Sequence, residues 1–233
     1  MSPSMSVVLR LDGPLQSWGS SSMFERRGTD PWPTKSGVVG VVSAACGIPR
    51  GGDMGFIAAC EFAVRVDQPG RPVDDYHVAG TQGWLNADGK VTRGVAKLST
   101  RTYLADAVFV AALSGDDDII DRLVAALRCP VYHSYLGRRS CPPAAPILIG
   151  TVPGGPAEAL AAVPYQGHGL PVPTRLRLLV DDPDGVSVAD QPVSTVSLDR
   201  QFAQRRVASR WIPTVEAGNR IDDDDPYGIR GSG

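Results

Sequence analysis

The order of four short apolar runs around two helical patterns constrains this chain more than any other feature. Ser6–Leu11 (SVVLRL) alternates, with Val7, Leu9 and Leu11 on one face, and reads as a strand ended by the turn Asp12-Gly13-Pro14. Thr34 can cap a helix from Lys35 to Cys46 (KSGVVGVVSAAC), closed by Gly47 and Pro49; it is apolar nearly all round and therefore buried. Glu61–Val66 (EFAVRV) alternates as a second strand, and Ala107–Leu113 (AVFVAAL) is a third. Asp116–Leu127 forms a helix whose Ile119, Ile120, Leu123, Val124 and Leu127 make one stripe; aspartates open it and Arg128 closes it, matching its dipole. Pro146–Gly150 (PILIG) is a fourth strand.

This order is the split βαβ pattern. It predicts an α+β chain with a ferredoxin-like (RRM-like) βαββαβ core, an antiparallel four-stranded sheet carrying two helices on one face. Residues 1–73 and 104–180 are the expected core. Between its second and third strands, residues 74–103 turn rich in Gly, Thr, Asn and Asp and should project as a β-hairpin thumb. Thr174–Val180 (TRLRLLV) alternates again, pairing beside the sheet or starting a small second one. Residues 181–233 form a short C-terminal β extension with a mobile acidic tail, Asp222–Gly233.

Composition narrows the function classes. No apolar run approaches the ~18 residues of a membrane span, and no export signal is visible, so a soluble cytoplasmic protein without a membrane partner is expected. Cys46, Cys60, Cys129 and Cys141 lack CxxC or Cys–His spacing, so neither zinc nor disulfides are implied, and no cofactor or metal motif is present. The net charge of −2 argues against a uniformly basic nucleic-acid binder. Yet positive charge clusters at Arg26-Arg27, Arg138-Arg139 and Arg200–Arg210, and of 23 basic residues only Lys35, Lys90 and Lys97 are lysines. Arginine's planar fork suits phosphate contacts and stacking on bases.

An RNA-recognition motif would read bases from strand aromatics, but its signature is missing, which leaves the loops. In PTKSG (Pro33–Gly37) free N–H groups at a helix start meet Lys35 and Ser36, a workable phosphate site without Walker spacing. In YLGRRSCP (Tyr135–Pro142) Gly137 permits a sharp bend that displays Arg138 and Arg139, with Tyr135 free to stack on a base. The alternative for these residues is one arginine buried against a carboxylate and one in water. His77, His133 and His168 are the only histidines; His133 or His77 with Lys97 could serve metal-independent RNA cleavage, the competing enzymatic reading.

Taken in order, LRLDGPLQSWG, PTKSGVVGVVSAACGI, YLADAVFVAAL, YHSYLGRRSCPPAAPILIG and LDRQFAQR resemble the CasD family of subunits of the type I-E CRISPR Cascade, within the repeat-associated RNA-binding (RAMP) superfamily. The resemblance implies a non-catalytic antiviral-defence subunit of a ribonucleoprotein complex that caps the 5′ handle of the CRISPR RNA. It further implies a thumb contacting the backbone subunit CasC, contacts with the large subunit CasA, and target DNA bound only through the complex. Carried to this sequence, the RNA-binding set is Arg138 and Arg139 with Tyr135 and Ser140, then Lys35 and Ser36, with Gln16, Ser17 and Trp18 nearby. Arg26, Arg101 and Gln201 are the weaker members.

Overall fold

A computed structural model of the chain describes residues 5–19, 26–80, 83–85, 88–93, 96–168, 171–194 and 201–215. The expected acidic tail lies outside the described residues. The elements in chain order are β1 (Met5–Gln16), β2 (Arg26–Arg27), α1 (Lys35–Ala45), α2 (Gly55–Ala58), β3 (Glu61–Gln68), β4 (Arg71–Ala79), β5 (Trp84–Leu85), β6 (Val91–Thr92), β7 (Lys97–Gly115), α3 (Asp117–Arg128), β8 (Leu148–Pro153), α4 (Pro156–Ala162), β9 (Arg175–Ser194) and β10 (Gln201–Pro213). The result is a mixed α/β chain around one mainly antiparallel sheet of order β10-β9-β3-β7-β1-β8, with β2 and β4 flanking the N-terminal half of β7. β5 and β6 make a separate two-stranded pair.

Strand alternation sorts the side chains into two cores. On one face Val7, Leu9, Leu11, Phe62, Val64, Phe109 and Leu113 pack against Val38 and Val42 of α1, Ile57 of α2 and Leu123 of α3. On the other, Val8, Ala63, Val110, Ala112, Leu178 and Val180 pack against Ala159 and Leu160 of α4. The two helices expected from the sequence, α1 and α3, thus lie on one face, and α4, which the sequence reading does not include, covers the other. Seven residues of α4 are too short for a helical period to stand out, although Gly154-Gly155-Pro156 is a legible helix start.

The second core holds a fully buried ion pair. Arg65 is 1% exposed, and its Nε donates to Asp67 at 2.7 Å while Nη1 and Nη2 donate to the carbonyls of Leu160, Val163 and Pro164. The carbonyls left open at the end of α4 are thus satisfied by a strand side chain.

Two further elements depart from expectation. β1 does not stop at Asp12-Gly13-Pro14 but runs on to Gln16, paired with β7 from Met5↔Gly115 to Gln16↔Leu104 and skipping Pro14. β8 pairs with β1 only as far as Leu9, so proline, which cannot donate to a ladder, meets no demand for its missing N–H. The C-terminal extension is not short: β9 has 20 residues and β10 has 13. β9 pairs with β3 through Leu178–Val180 and Arg177, then continues beyond the sheet with β10 as its partner.

Candidate nucleic-acid interface

The long strand β7 sets the stage. Its C-terminal half lies between β1 and β3 in the core, and its N-terminal half, from Lys97 to Ala105, runs between β4 and β2. Arg101 stands opposite Arg27 on one side and Asp75 on the other. Two residues on, Tyr103 shares its face and is 3% exposed. The Nε of Arg101 is buried and has no hydrogen-bond partner among the described residues.

The Tyr135–Cys141 loop lies over this face. Leu136 and Cys141 are fully buried and anchor it, and the Leu136 N–H donates to the Cys141 carbonyl at 2.8 Å while the Cys141 N–H donates to Arg138 O at 2.9 Å. The bend turns at Gly137, whose φ is +93°. Between those anchors the two arginines part. Arg138 turns inward: Nη1 donates to Thr102 O at 3.1 Å, and Nη2 to Arg27 O at 2.8 Å and Gly28 O at 3.2 Å. Its guanidinium also stacks over the Tyr103 ring at 4.7 Å. Arg139 is exposed and makes no hydrogen bond or ion pair among the described residues. Ser140 is exposed, with its hydroxyl 3.3 Å from that of Tyr103, and Tyr135 is half-buried.

The end of β1 and the loop after it support this arrangement. Gln16 is fully buried; its Nε2 donates to the carbonyls of Leu11 and Ala107, and its Oε1 accepts from the Trp18 indole at 2.9 Å. Trp18 is 1% exposed and Ser17 3%, so these three side chains present almost no surface to a ligand; Gln16 and Trp18 hold the segment, while the buried Ser17 hydroxyl has no hydrogen-bond partner among the described residues. The Trp18 backbone bridges to Asp30, which fixes the segment supplying Arg27 and Gly28.

The start of α1 is occupied from within. Thr34 caps it through Gly37 N–H, and the Lys35 N–H donates to the carboxylate of Asp190 at 2.8 Å. Asp190, 1% exposed, is gripped by Arg205 through Nε at 2.5 Å and Nη2 at 2.9 Å, and Arg205 also reaches Asp181. Burial works against charge on Arg205, but Asp190 and Asp181 outweigh it and hold its pKa above the ordinary value. Lys35 is 5% exposed, and burial lowers its pKa against the pull of Asp181 and Asp190. Ser36 lies 3.3 Å from the Thr34 hydroxyl. The helix start that the sequence offers as a phosphate site therefore already holds an internal carboxylate.

Of the remaining candidates, Arg26 pairs through its backbone with Thr100 beside Arg101, whereas Gln201 opens β10 opposite Ser194, on the far edge of the sheet. The histidines stand apart: His77 on β4 pairs with Asp75, His168 with Asp12, and exposed His133 follows the segment tied to the end of α1. Lys97 opens β7 opposite Ala79, on the same ribbon as His77 and remote in topology from His133. Tyr103 is not among the candidates read from the sequence, and Arg27 enters there only through the Arg26-Arg27 charge cluster. Tyr103 was findable, since it lies in phase with Ala107 and Phe109 along a single strand.

Comparison with known proteins agrees with this architecture. Residues 6–208 match the family described as CRISPR-associated protein (Cas_Cas5). The chain is 33% identical over 214 residues to the CRISPR system Cascade subunit CasD of Escherichia coli (strain K12), covering 85% of this chain and 92% of that one. A chain of a solved CRISPR RNA-guided surveillance complex superposes with a TM-score of 0.78 at 32% identity, covering 93% of this chain and 95% of that chain. A crystal structure of a Cas protein gives 0.73 at 35% identity, covering 91% and 98%. With matches of this identity across nearly its whole length, the chain belongs to the Cas5 family of CRISPR-associated proteins.

Proposed function

We propose that the chain is a non-catalytic subunit of a Cascade surveillance complex that grips the 5′ handle of the CRISPR RNA with the arginine loop and the adjoining end of β7. The observation that carries this reading is the seating of the anchored arginine loop on β7: Arg138 bonds Thr102 O and stacks on Tyr103, while the next residue, Arg139, is exposed, and Arg101 beside Thr102 has a buried Nε without a partner among the described residues. A phosphate or splayed base bound at this loop would find the exposed fork of Arg139 and the exposed Ser140 beside it, with the half-buried Tyr135 on the same bend. The β3-β7-β1-β8 order, with α1 and α3 as crossovers, supports reading the centre as a ferredoxin-like core. Its sheet face is closed by α4, which favours recognition at the rim over base stacking on strands.

In the same reading, the ribbon of β4 and the first half of β7 is the thumb that meets the backbone subunit CasC, another surface meets CasA, and target DNA is reached only through the complex. Affinity for the handle should fall with rising salt, because phosphate contacts displace counterions. The test reverses Arg138 and Arg139 to Glu together and measures handle-RNA binding and complex assembly; values equal to those of the unaltered chain would overturn the proposal. Labelled repeat RNA incubated with the chain in EDTA should be recovered intact. A discrete product, lost in His77→Ala or His133→Ala, would establish a nuclease instead.

A further inference from the structure

We propose that the two adjacent arginines divide the work: Arg138 is a positioning residue that fixes the site from inside, and Arg139 alone of the pair contacts RNA. The inference rests on the RNA-binding reading above and goes beyond it by assigning different physical roles to chemically identical neighbours. A guanidinium carries five N–H donors. In Arg138 three of them are engaged, by Thr102 O, Arg27 O and Gly28 O, and one face of the plane is covered by Tyr103. Those carbonyls belong to two different segments, β7 and the end of β2 with Gly28 after it, so a single side chain ties both to the arginine loop. Arg139, one residue further round the bend, is exposed and spends none of its donors among the described residues.

The chemistry at the two positions follows from this geometry. Three carbonyls arranged around a plane and a ring beneath it need a flat, forked donor, which an ammonium on a flexible stem cannot replace. Loss of Arg138 should loosen the Arg27–Gly28 segment and the Arg101–Tyr103 stretch, displacing Arg101 and Arg139 without removing a phosphate contact. Loss of Arg139 should remove one contact and leave the scaffold standing.

Phenylglyoxal footprinting of the full chain, read by mass spectrometry with and without handle RNA, separates the roles in the unaltered protein. Without RNA, Arg139 should be modified at least tenfold faster than Arg138, and RNA should then shield Arg139. In binding titrations against salt, Arg138→Lys and Arg138→Gln should each weaken binding tenfold or more at an unchanged slope of log affinity on log salt. Arg139→Gln should flatten that slope by about 0.7, the value of one single-stranded phosphate contact. Comparable modification of both arginines in the free chain, full affinity in Arg138→Lys, or a flattened slope in Arg138→Gln would each overturn the assignment. Should Arg138→Lys fail to fold, the footprint of the unaltered chain decides. If RNA shields neither arginine, the RNA-binding reading falls, while the positioning role of Arg138 is judged by the RNA-free reactivities.

Discussion

Gly137 and Ser17 meet backbone to backbone: a Cβ added at Gly137 would lie 1.7 Å from the Ser17 carbonyl oxygen. Next to this contact the Ser17 N–H donates to Leu136 O at 3.0 Å, so the arginine loop and the loop after β1 are locked together through neighbouring residues. Glycine is required twice over, for its φ of +93° and for the close approach.

Gly137→Ala is therefore expected to destabilise the chain by about 2 kcal/mol or more, since left-handed strain alone costs ~1–3 kcal/mol and the Ser17 carbonyl must also move. Urea unfolding measures the cost, and handle-RNA binding should weaken with it because Arg139 rides on the displaced bend. A change below ~0.5 kcal/mol, the range of ordinary surface substitutions, would show that the two loops are not locked.

The sequence made the interior of this fold legible and its rim much less so. Val7, Leu9 and Leu11, or Phe62 and Val64, announce their face because a strand has period two and one side must be buried. Periodicity says which face a residue takes but not what covers it. Arg65 thus looks like a solvent residue until α4 is laid over it, and Gln16 and Trp18 look like exposed loop residues until β1 is seen to run on to Gln16 and both side chains are found buried. At the site, Arg138 and Arg139 are indistinguishable in sequence. What separates them is a set of carbonyls 36 and 111 positions away, which only the tertiary fold brings near.

The buried Arg65–Asp67 pair should behave as a structural unit. Arg65→Leu leaves Asp67 charged in a sealed site and strands the carbonyls of Leu160, Val163 and Pro164. Removing one partner of a buried pair costs ~3–5 kcal/mol. Adding Asp67→Asn to Arg65→Leu should recover part of that loss, because the uncompensated charge disappears while the open carbonyls remain. Equilibrium unfolding of both variants measures this; a double variant no more stable than the single one would show that the carbonyls, and not the carboxylate, dominate.

Lys35 gives a signed prediction about pH. Burial lowers its pKa in the folded chain, so between that lowered value and the usual 10.5 the unfolded state binds the extra proton. Its contribution to stability therefore rises with pH across that window, and below it the charged, desolvated ammonium is a standing cost. Cys46, Cys60, Cys141 and Tyr165, whose pKa values burial raises, act in the opposite sense above their ordinary values of 9.0 and 10.0, so the total profile mixes both. Subtracting the unfolding free energies of Lys35→Met from those of the unaltered chain at each pH isolates the lysine. The difference should favour the methionine variant at neutral pH and shrink as pH rises toward 10.5. A difference that is flat with pH would contradict the desolvation argument.

The ribbon of β4 and β7 carries the last prediction. Tyr76, Val78 and Leu98 are 61%, 52% and 48% exposed, and the register Tyr76↔Thr100 and Val78↔Leu98 places them on one face. Under the function proposed above, these exposed apolar side chains are the surface that the neighbouring backbone subunit would cover. Because they are exposed in the free chain, Tyr76→Ser with Leu98→Ser should leave its unfolding free energy within about 1 kcal/mol, allowing ~0.5 kcal/mol for each surface change. Incorporation into the reconstituted complex should fall at least tenfold, scored as co-migration of the variant with the backbone subunit and RNA. Because Arg101 and Arg139 are untouched, handle-RNA binding by the free chain should be retained. Full incorporation of the doubly substituted chain would show that the ribbon face is not the surface that meets its neighbour.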